Sequence, residues 1–317
     1  MNNIKKLSLV TFVSGPEVLT DDFLTLADNL QRFYDTDVIV FVDHLHANEN
    51  PLVRQIVSPS TTKYVRILQL LLRTQADYFL CVDNDITPNL NAILAFLSES
   101  FSAQADLSWG RIGVSSTSGL ITQLIKIDKM LSHCIIRPML WRSGWGSSLP
   151  GQLFLLKVKA FRERLSKIDT VFDDLTIGIC AREHNCKVYF NQSILGWEKP
   201  KATLFSLLCQ RIRWGKGFSQ VVNANYQFLN RLSLILVHGA AYHLLWIVFW
   251  GLIYITALVN ANFAFLLWLT LTAALTFGQM SLITAALLYT IVFPVIHLVW
   301  LIVVIFYTGW LTVSTPS

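Results

Sequence analysis

Asp77-Tyr78-Phe79-Leu80-Cys81-Val82-Asp83-Asn84-Asp85 is the stretch on which the fold turns. Asp77–Val82 reads as a short buried strand, and its end delivers two acids two positions apart. In an extended segment both carboxylates can face one site and share a divalent cation. The blander alternative is a turn cap, so the surrounding pattern has to decide.

Upstream, Leu7–Val13 and Val38–Val42 are β-branched runs of the kind found in buried parallel strands, with the helical period of Leu19–Phe33 between them. Thr62–Arg73 predicts a helix with Val65, Leu68 and Leu72 on one face, and Pro88 opens another near Asn89–Ser98. This alternation predicts an open, mostly parallel α/β sheet with helices on both sides. Ligands of such sheets sit at the carboxyl ends of strands, where Asp43 and Asp83 both fall. Residues 106–150, broken by glycines and serines, are expected to be mostly loop around one helix near Leu120–Leu131. Beyond them come a strand at Leu153–Val158, a helix at Asp173–His184 and a short strand at Val188–Phe190. The two acids opening that helix suit its positive end.

The rest of the chain has a different composition. The last Lys or Arg of the 317 residues is Arg231 and the last acid is Glu198, so residues 232–317 (317 − 231 = 86) carry no Asp, Glu, Lys or Arg. Such a stretch cannot be a soluble surface. At about 20 residues per span it holds about three transmembrane helices, expected at Leu232–Val259, Phe263–Phe277 and Leu282–Leu311, the last kinked by Pro294. Arg231, immediately before the first span, predicts a cytoplasmic catalytic domain in a multi-pass membrane protein. Met1–Ser14 does not read as a signal peptide. Cys81, Cys134, Cys180, Cys186 and Cys209 include no CxxC pair, which argues for reduced, mostly core thiols. The expected division is 1–202, a catalytic domain; 203–231, an interface helix and linker; and 232–317, the spans. Thr203–Gly217 puts Leu204, Leu207, Leu208 and Ile212 on one side and Arg211, Arg213 and Lys216 on or near the other. That is the pattern of a helix lying along a bilayer.

Three further groups are candidates for chemistry. Asp174, with Asp173 before it, is either a helix cap or a general base facing an acceptor hydroxyl. Gln210-Arg211-Ile212-Arg213-Trp214 is either a membrane-interface belt, or a grip on a diphosphate (Arg213) beside a stacking surface for a sugar (Trp214). Lys63 either meets a nucleotide or sits on a solvated face. Other polar residues read as structural. His44 and His46 alternate but lack a third metal ligand. His238, His243 and His297 suit hydrogen bonds between helices. Trp141 and Trp145 suit either sugar stacking or membrane packing.

The order strand-Asp, DxD, acidic pair, QxxRW and then apolar helices resembles the family 2 glycosyltransferases of GT-A fold. It resembles especially the membrane branch with cellulose, chitin and hyaluronan synthases and ceramide glucosyltransferase. The resemblance covers roughly residues 7–230. It implies an inverting enzyme that moves a hexose or N-acetylhexosamine from a nucleoside-diphosphate sugar, a UDP-sugar first among donors, to a polysaccharide or lipid-linked acceptor. By position it implies that Asp43, Asp83 and Arg213 bind the donor, and that Asp83 and Asp85 hold Mg²⁺ or Mn²⁺, with Asp85 the direct ligand; Lys63 is a donor-binding candidate from the residue reading alone. It makes Asp174 the catalytic base and places the acceptor against Gln210, Trp214, Gly151 and Gln152. Two departures stand out: Asp173 replaces the usual Glu, and His44-Leu45-His46 follows Asp43 instead of Asp-Gly-Ser. A partner subunit or second copy is compatible with the pattern, whereas nucleic acid is not an expected partner. Two rival readings are a metal-dependent phospho- or nucleotidyltransferase acting on a lipid, which leaves QxxRW unexplained, and a non-catalytic nucleotide-binding membrane subunit, which need not keep a base.

Overall fold

The computed structural model describes residues 5–14, 18–44, 51, 53–59, 61–115, 119–166, 170–200 and 203–314, the last six by backbone alone. His46 lies outside the described residues, and His44 is exposed. The chain divides into two compact units: 1–115 with 147–199, and 116–146 with 200–317.

The first unit is built on eight strands: β1 (Lys6–Val13), β2 (Asp35–Val42), β3 (Val53–Val57), β4 (Tyr78–Val82), β5 (Ile86–Pro88), β6 (Leu107–Val114), β7 (Leu153–Lys157) and β8 (Val188–Glu198). They form one sheet in the order β3-β2-β1-β4-β7-β6-β8-β5. β1, β2, β3 and β4 run parallel. β7 is antiparallel to both β4 and β6, so β6 runs with β4, and β8 is parallel to β6. One edge of the sheet therefore collects the carboxyl ends of β1, β2, β4 and β8 together with the amino end of β7.

Helices α1 (Asp21–Gln31), α2 (Lys63–Arg73), α3 (Leu90–Ser102), α6 (Val158–Phe161) and α7 (Asp173–Glu183) belong to this unit. Thr20, Thr62 and Asn89 cap the first three through their side-chain oxygens. Phe23, Leu26 and Leu30 of α1 and Ile93, Phe96 and Leu97 of α3 bury with Leu9, Val40, Leu80 and Leu155 in one core. Each such apolar side chain contributes about 1.5–3 kcal/mol. Residues of the opposite parity face α2, where Ser8 Oγ lies 2.9 Å from Thr74 Oγ1. Gly178 of α7 allows a close approach: a Cβ there would meet Ser147 O at 2.2 Å.

Several expectations change. Leu107–Val114 is a strand, not loop, because β7 and β8 flank it and satisfy its backbone despite two glycines. β8 runs on to Glu198, well past Phe190. Pro88 ends the edge strand β5, and Asn89 is the cap of α3.

The second unit is helical: α4 (Leu120–Met130), α5 (Arg137–Arg142), α8 (Leu204–Asn225), α9 (Leu229–Gly239), α10 (Leu245–Val259), α11 (Ala261–Leu275) and α12 (Ile283–Ser314). Two π-helical turns, Leu131–Ile136 and Ala240–Leu244, join α4 to α5 and α9 to α10. Leu229–Val259 (31 residues) and Met280–Thr308 (29 residues) are long and apolar enough to cross a membrane. With 15 residues, α11 is about 22 Å long and falls short of a bilayer core of about 30 Å. The helical path of α12 continues through Pro294. α8 and α12 meet at Gly215, where a Cβ would lie 2.8 Å from Val303 Cγ1.

Arg211 does not lie on a solvated face. It is 5% exposed, paired through Nη2 with Asp128 Oδ2, and its Cζ stands 4.3 Å from the Trp214 ring centroid. Tyr289 donates its hydroxyl to Asp128 Oδ1 at 3.0 Å. His243 and His297 hydrogen-bond through their Nδ1 atoms (2.9 Å), which ties two long helices together. Trp141 is buried and Trp145 exposed. Cys81 and Cys180 are buried, whereas Cys209 is exposed.

Candidate active site

The collected strand ends carry the site. α2 begins with Lys63, whose Nζ donates to Asp83 Oδ1 (2.6 Å) and to the Gly151 carbonyl (2.6 Å). It also lies 3.5 Å from Asp173 Oδ2. This ammonium rests over the rings of Phe12 (5.4 Å) and Phe154 (5.7 Å). Asp83 N–H donates to the Gln152 carbonyl at 2.8 Å, so the residues before β7 close directly onto the end of β4.

Gly151 brings α7 to the same place, since a Cβ on it would lie 3.4 Å from Asp174 Cβ. Asp174 Oδ1 accepts from Leu175 N–H at 2.8 Å. At the end of β2, Asp43 is paired with the buried guanidinium of Arg66, one turn along α2 from Lys63. Arg66 also donates to Ser58 O (2.9 Å) and Thr61 Oγ1 (3.2 Å). Lys63, Asp83, Gly151, Gln152, Asp173 and Asp174 are thus brought together, with Asp43 anchored to the same helix. Gln210, Arg213 and Trp214 belong to the helical unit. There Arg213 is exposed and Trp214 stacks on Arg211.

Two functional candidates emerge only here. Arg66 neutralises Asp43. Glu198, at the end of β8, accepts from Gln152 Nε2 at 3.0 Å. A second cation three residues after Lys63 on α2, and an acid ending an apolar strand, were the signals available in the sequence.

Burial pushes the Asp83 carboxyl up to about 6, against the pull of Lys63. Burial alone would lower Lys63, but the Asp173 and Asp83 carboxylates outweigh it and hold the ammonium well above the usual lysine range. Burial also raises the Cys81 thiol, which keeps it protonated.

Among the described residues no three His, Cys, Asp or Glu side chains are close enough to hold a metal by themselves. Asn84 is turned inward, donating to Val18 O (3.0 Å) and accepting from Thr20 N–H (3.1 Å), while Asp85 is exposed. Asp83 and Asp85 offer the hard oxygen donors that suit Mg²⁺ or Mn²⁺, which commonly take one or two carboxylates and complete their shell with substrate phosphate oxygens and water. The donor set fits such an ion.

No protein-family model and no curated protein sequence matches the chain. Its structure is similar to a mannosyltransferase from Pyrobaculum calidifontis solved with GDP-mannose and Mn²⁺. The TM-score is 0.56 at 12% identity, over 98% of this chain and 88% of that one. Weaker likenesses are to glucosyl-3-phosphoglycerate synthase from Mycobacterium tuberculosis (TM-score 0.48, 13% identity, 69% of this chain and 79% of that one) and to residues 1–349 of TarS from S. aureus (0.46, 13%, 73% and 70%). The α/β unit of this chain has the GT-A fold, accompanied by helices of which two are long enough to span a membrane.

Proposed function

We infer that the chain is an inverting glycosyltransferase that moves a hexose or N-acetylhexosamine from a nucleoside-diphosphate sugar to a lipid or glycan acceptor at a membrane surface. The observation that carries this reading is Lys63 held between Asp83 and Asp173 at the carboxyl edge of a GT-A sheet, with Asp174 packed against Gly151 beside them. Asp43, steadied by Arg66, binds the nucleoside end of the donor. Asp83 and Asp85 hold the divalent cation, which when bound supplies positive charge to the departing diphosphate. Asp174 accepts the proton of the acceptor hydroxyl as that oxygen bonds the anomeric carbon and the bond to the diphosphate breaks. Lys63 orients Asp83 and Asp173 and keeps their like charges apart. Arg213 grips the diphosphate, and Gln210, Trp214, Gly151 and Gln152 shape the acceptor side. Leu229–Val259 and Met280–Thr308 anchor the enzyme in the membrane, with the α/β unit in the cytoplasm.

The test is purified full-length protein in lipid nanodiscs with a panel of labelled UDP- and GDP-sugars. Metal-dependent transfer or donor hydrolysis is expected for at least one donor. Absence of both turnover and donor binding across the panel overturns the reading. Release of the chain from membranes by carbonate overturns the anchor.

A further inference from the structure

Arg137 opens α5 directly after the π-helical turn Leu131–Ile136 and is 7% exposed. Its Nε and Nη1 are buried, and neither has a hydrogen-bond acceptor among the described residues. Its Cζ lies 6.0 Å from the ring centroid of Tyr242. Tyr242 belongs to the second π-helical turn, Ala240–Leu244, which packs against the first. His238 lies against Tyr242 with ring centroids 4.5 Å apart. Tyr242 OH and His238 Nδ1 are also buried without a hydrogen-bond partner among the described residues. A guanidinium, a phenol and an imidazole thus meet, each with polar atoms unsatisfied.

An arginine stays charged when buried, and its desolvation calls for an anion. The helical unit cannot supply one. Asp128 is its sole acidic residue, and Arg211 and Tyr289 occupy its two oxygens. π-helical turns are rare and concentrate at functional sites, and two of them frame this cluster. Guanidinium, hydroxyl and imidazole donors together match the several oxygens of a phosphate. The outer faces of the same helices expose Ile135, Met139, Leu236, Leu244 and Leu245. An anion arriving through such surroundings comes attached to an apolar tail.

We propose that Arg137, His238 and Tyr242 bind the phosphate of a membrane lipid. This binding requires neither donor nor metal.

The test uses full-length protein in phosphatidylcholine nanodiscs, with a tritiated polyprenyl monophosphate, the corresponding polyprenol, and inorganic phosphate as probes. The monophosphate should bind at least tenfold more tightly than the polyprenol and should raise the melting temperature. Arg137→Gln should weaken its binding at least tenfold and abolish that rise, without lowering the melting temperature of the lipid-free protein, since it removes an unpaired buried charge. Tyr242→Phe, which deletes only a hydroxyl, should weaken binding about threefold, and it decides the matter if Arg137→Gln does not fold. Equal binding of polyprenol and its phosphate overturns the proposal. So does binding of inorganic phosphate as tight as that of the lipid, or unchanged affinity in both variants. Donor binding measured in parallel separates the two readings: lipid binding lost with donor binding intact discards this site alone, and the reverse discards the transferase reading alone.

Discussion

Lys63 Nζ and Asp83 Oδ1 stand 2.6 Å apart, and the same ammonium reaches Asp173 at 3.5 Å, so one cation joins the end of β4 to the start of α7. This pair holds the candidate site together. It also makes the site sensitive to pH.

Lys63→Met leaves two half-buried carboxylates without a cation and is expected to destabilise the protein by about 2–3 kcal/mol at pH 7, a melting-temperature drop of several degrees. Burial raises Asp83 from 3.8 to about 6 in the folded state. Its contribution to stability is therefore full below the unfolded value and is lost as pH rises through about 6. Without Lys63 the carboxyl shifts further up, so the variant's deficit should shrink between pH 7 and pH 5. Melting curves at the two pH values check this; an equal deficit at both assigns Lys63 no electrostatic role.

Asp85 is exposed, so Asp85→Asn should change stability by less than about 0.5 kcal/mol. Transfer should nevertheless fall by a factor of about 100 or more, as it should for wild type in chelator. Sugar-transfer assays with and without Mn²⁺ measure both. Full activity in either condition removes the metal from the site.

Asp174→Asn keeps the size of the side chain and an oxygen for Leu175 N–H. Transfer should drop by about 100- to 10,000-fold, with donor affinity within about twofold of wild type. Asp173→Asn should be milder, acting through Lys63. Calorimetric donor titration paired with product formation separates the two. Asp173 proving the more critical residue would reassign the base.

In the helical unit, Asp128→Asn leaves Arg211 buried beside a neutral amide and is expected to cost about 3 kcal/mol. Replacing the pair together, Asp128→Leu with Arg211→Met, should recover most of that loss. Thermal melting of both variants in the same detergent distinguishes a buried ion pair from independent contacts. A double variant no more stable than Asp128→Asn would show that the two residues do not depend on one another.

The sequence alone determined the local elements and the split in composition. β1, β2, β4, α2 and α7 were legible from local signals: apolar runs for the strands, with acids following β2 and β4, the Thr62 cap of α2, and the two acids in the first turn of α7. The uncharged run after Arg231 was legible because composition needs no partner. Asp43, Asp83 and Asp174 stood out because acids ending apolar strands or opening helices are locally conspicuous. What lay beyond local pattern was decided by pairing. β6 forms across glycines because β7 and β8 satisfy its backbone, and β8 extends to Glu198 because β6 and β5 flank it. Only the antiparallel insertion of β7 brings Gly151 and Gln152 onto the end of β4. Arg211 looks like surface in a one-dimensional wheel, and it is buried because its counterion, Asp128, comes from a segment far away in the chain. Periodicity records which face of an element is apolar. It does not record which distant charge makes burial of a polar group affordable, and that is what the tertiary structure decided at Lys63, Arg66 and Arg211.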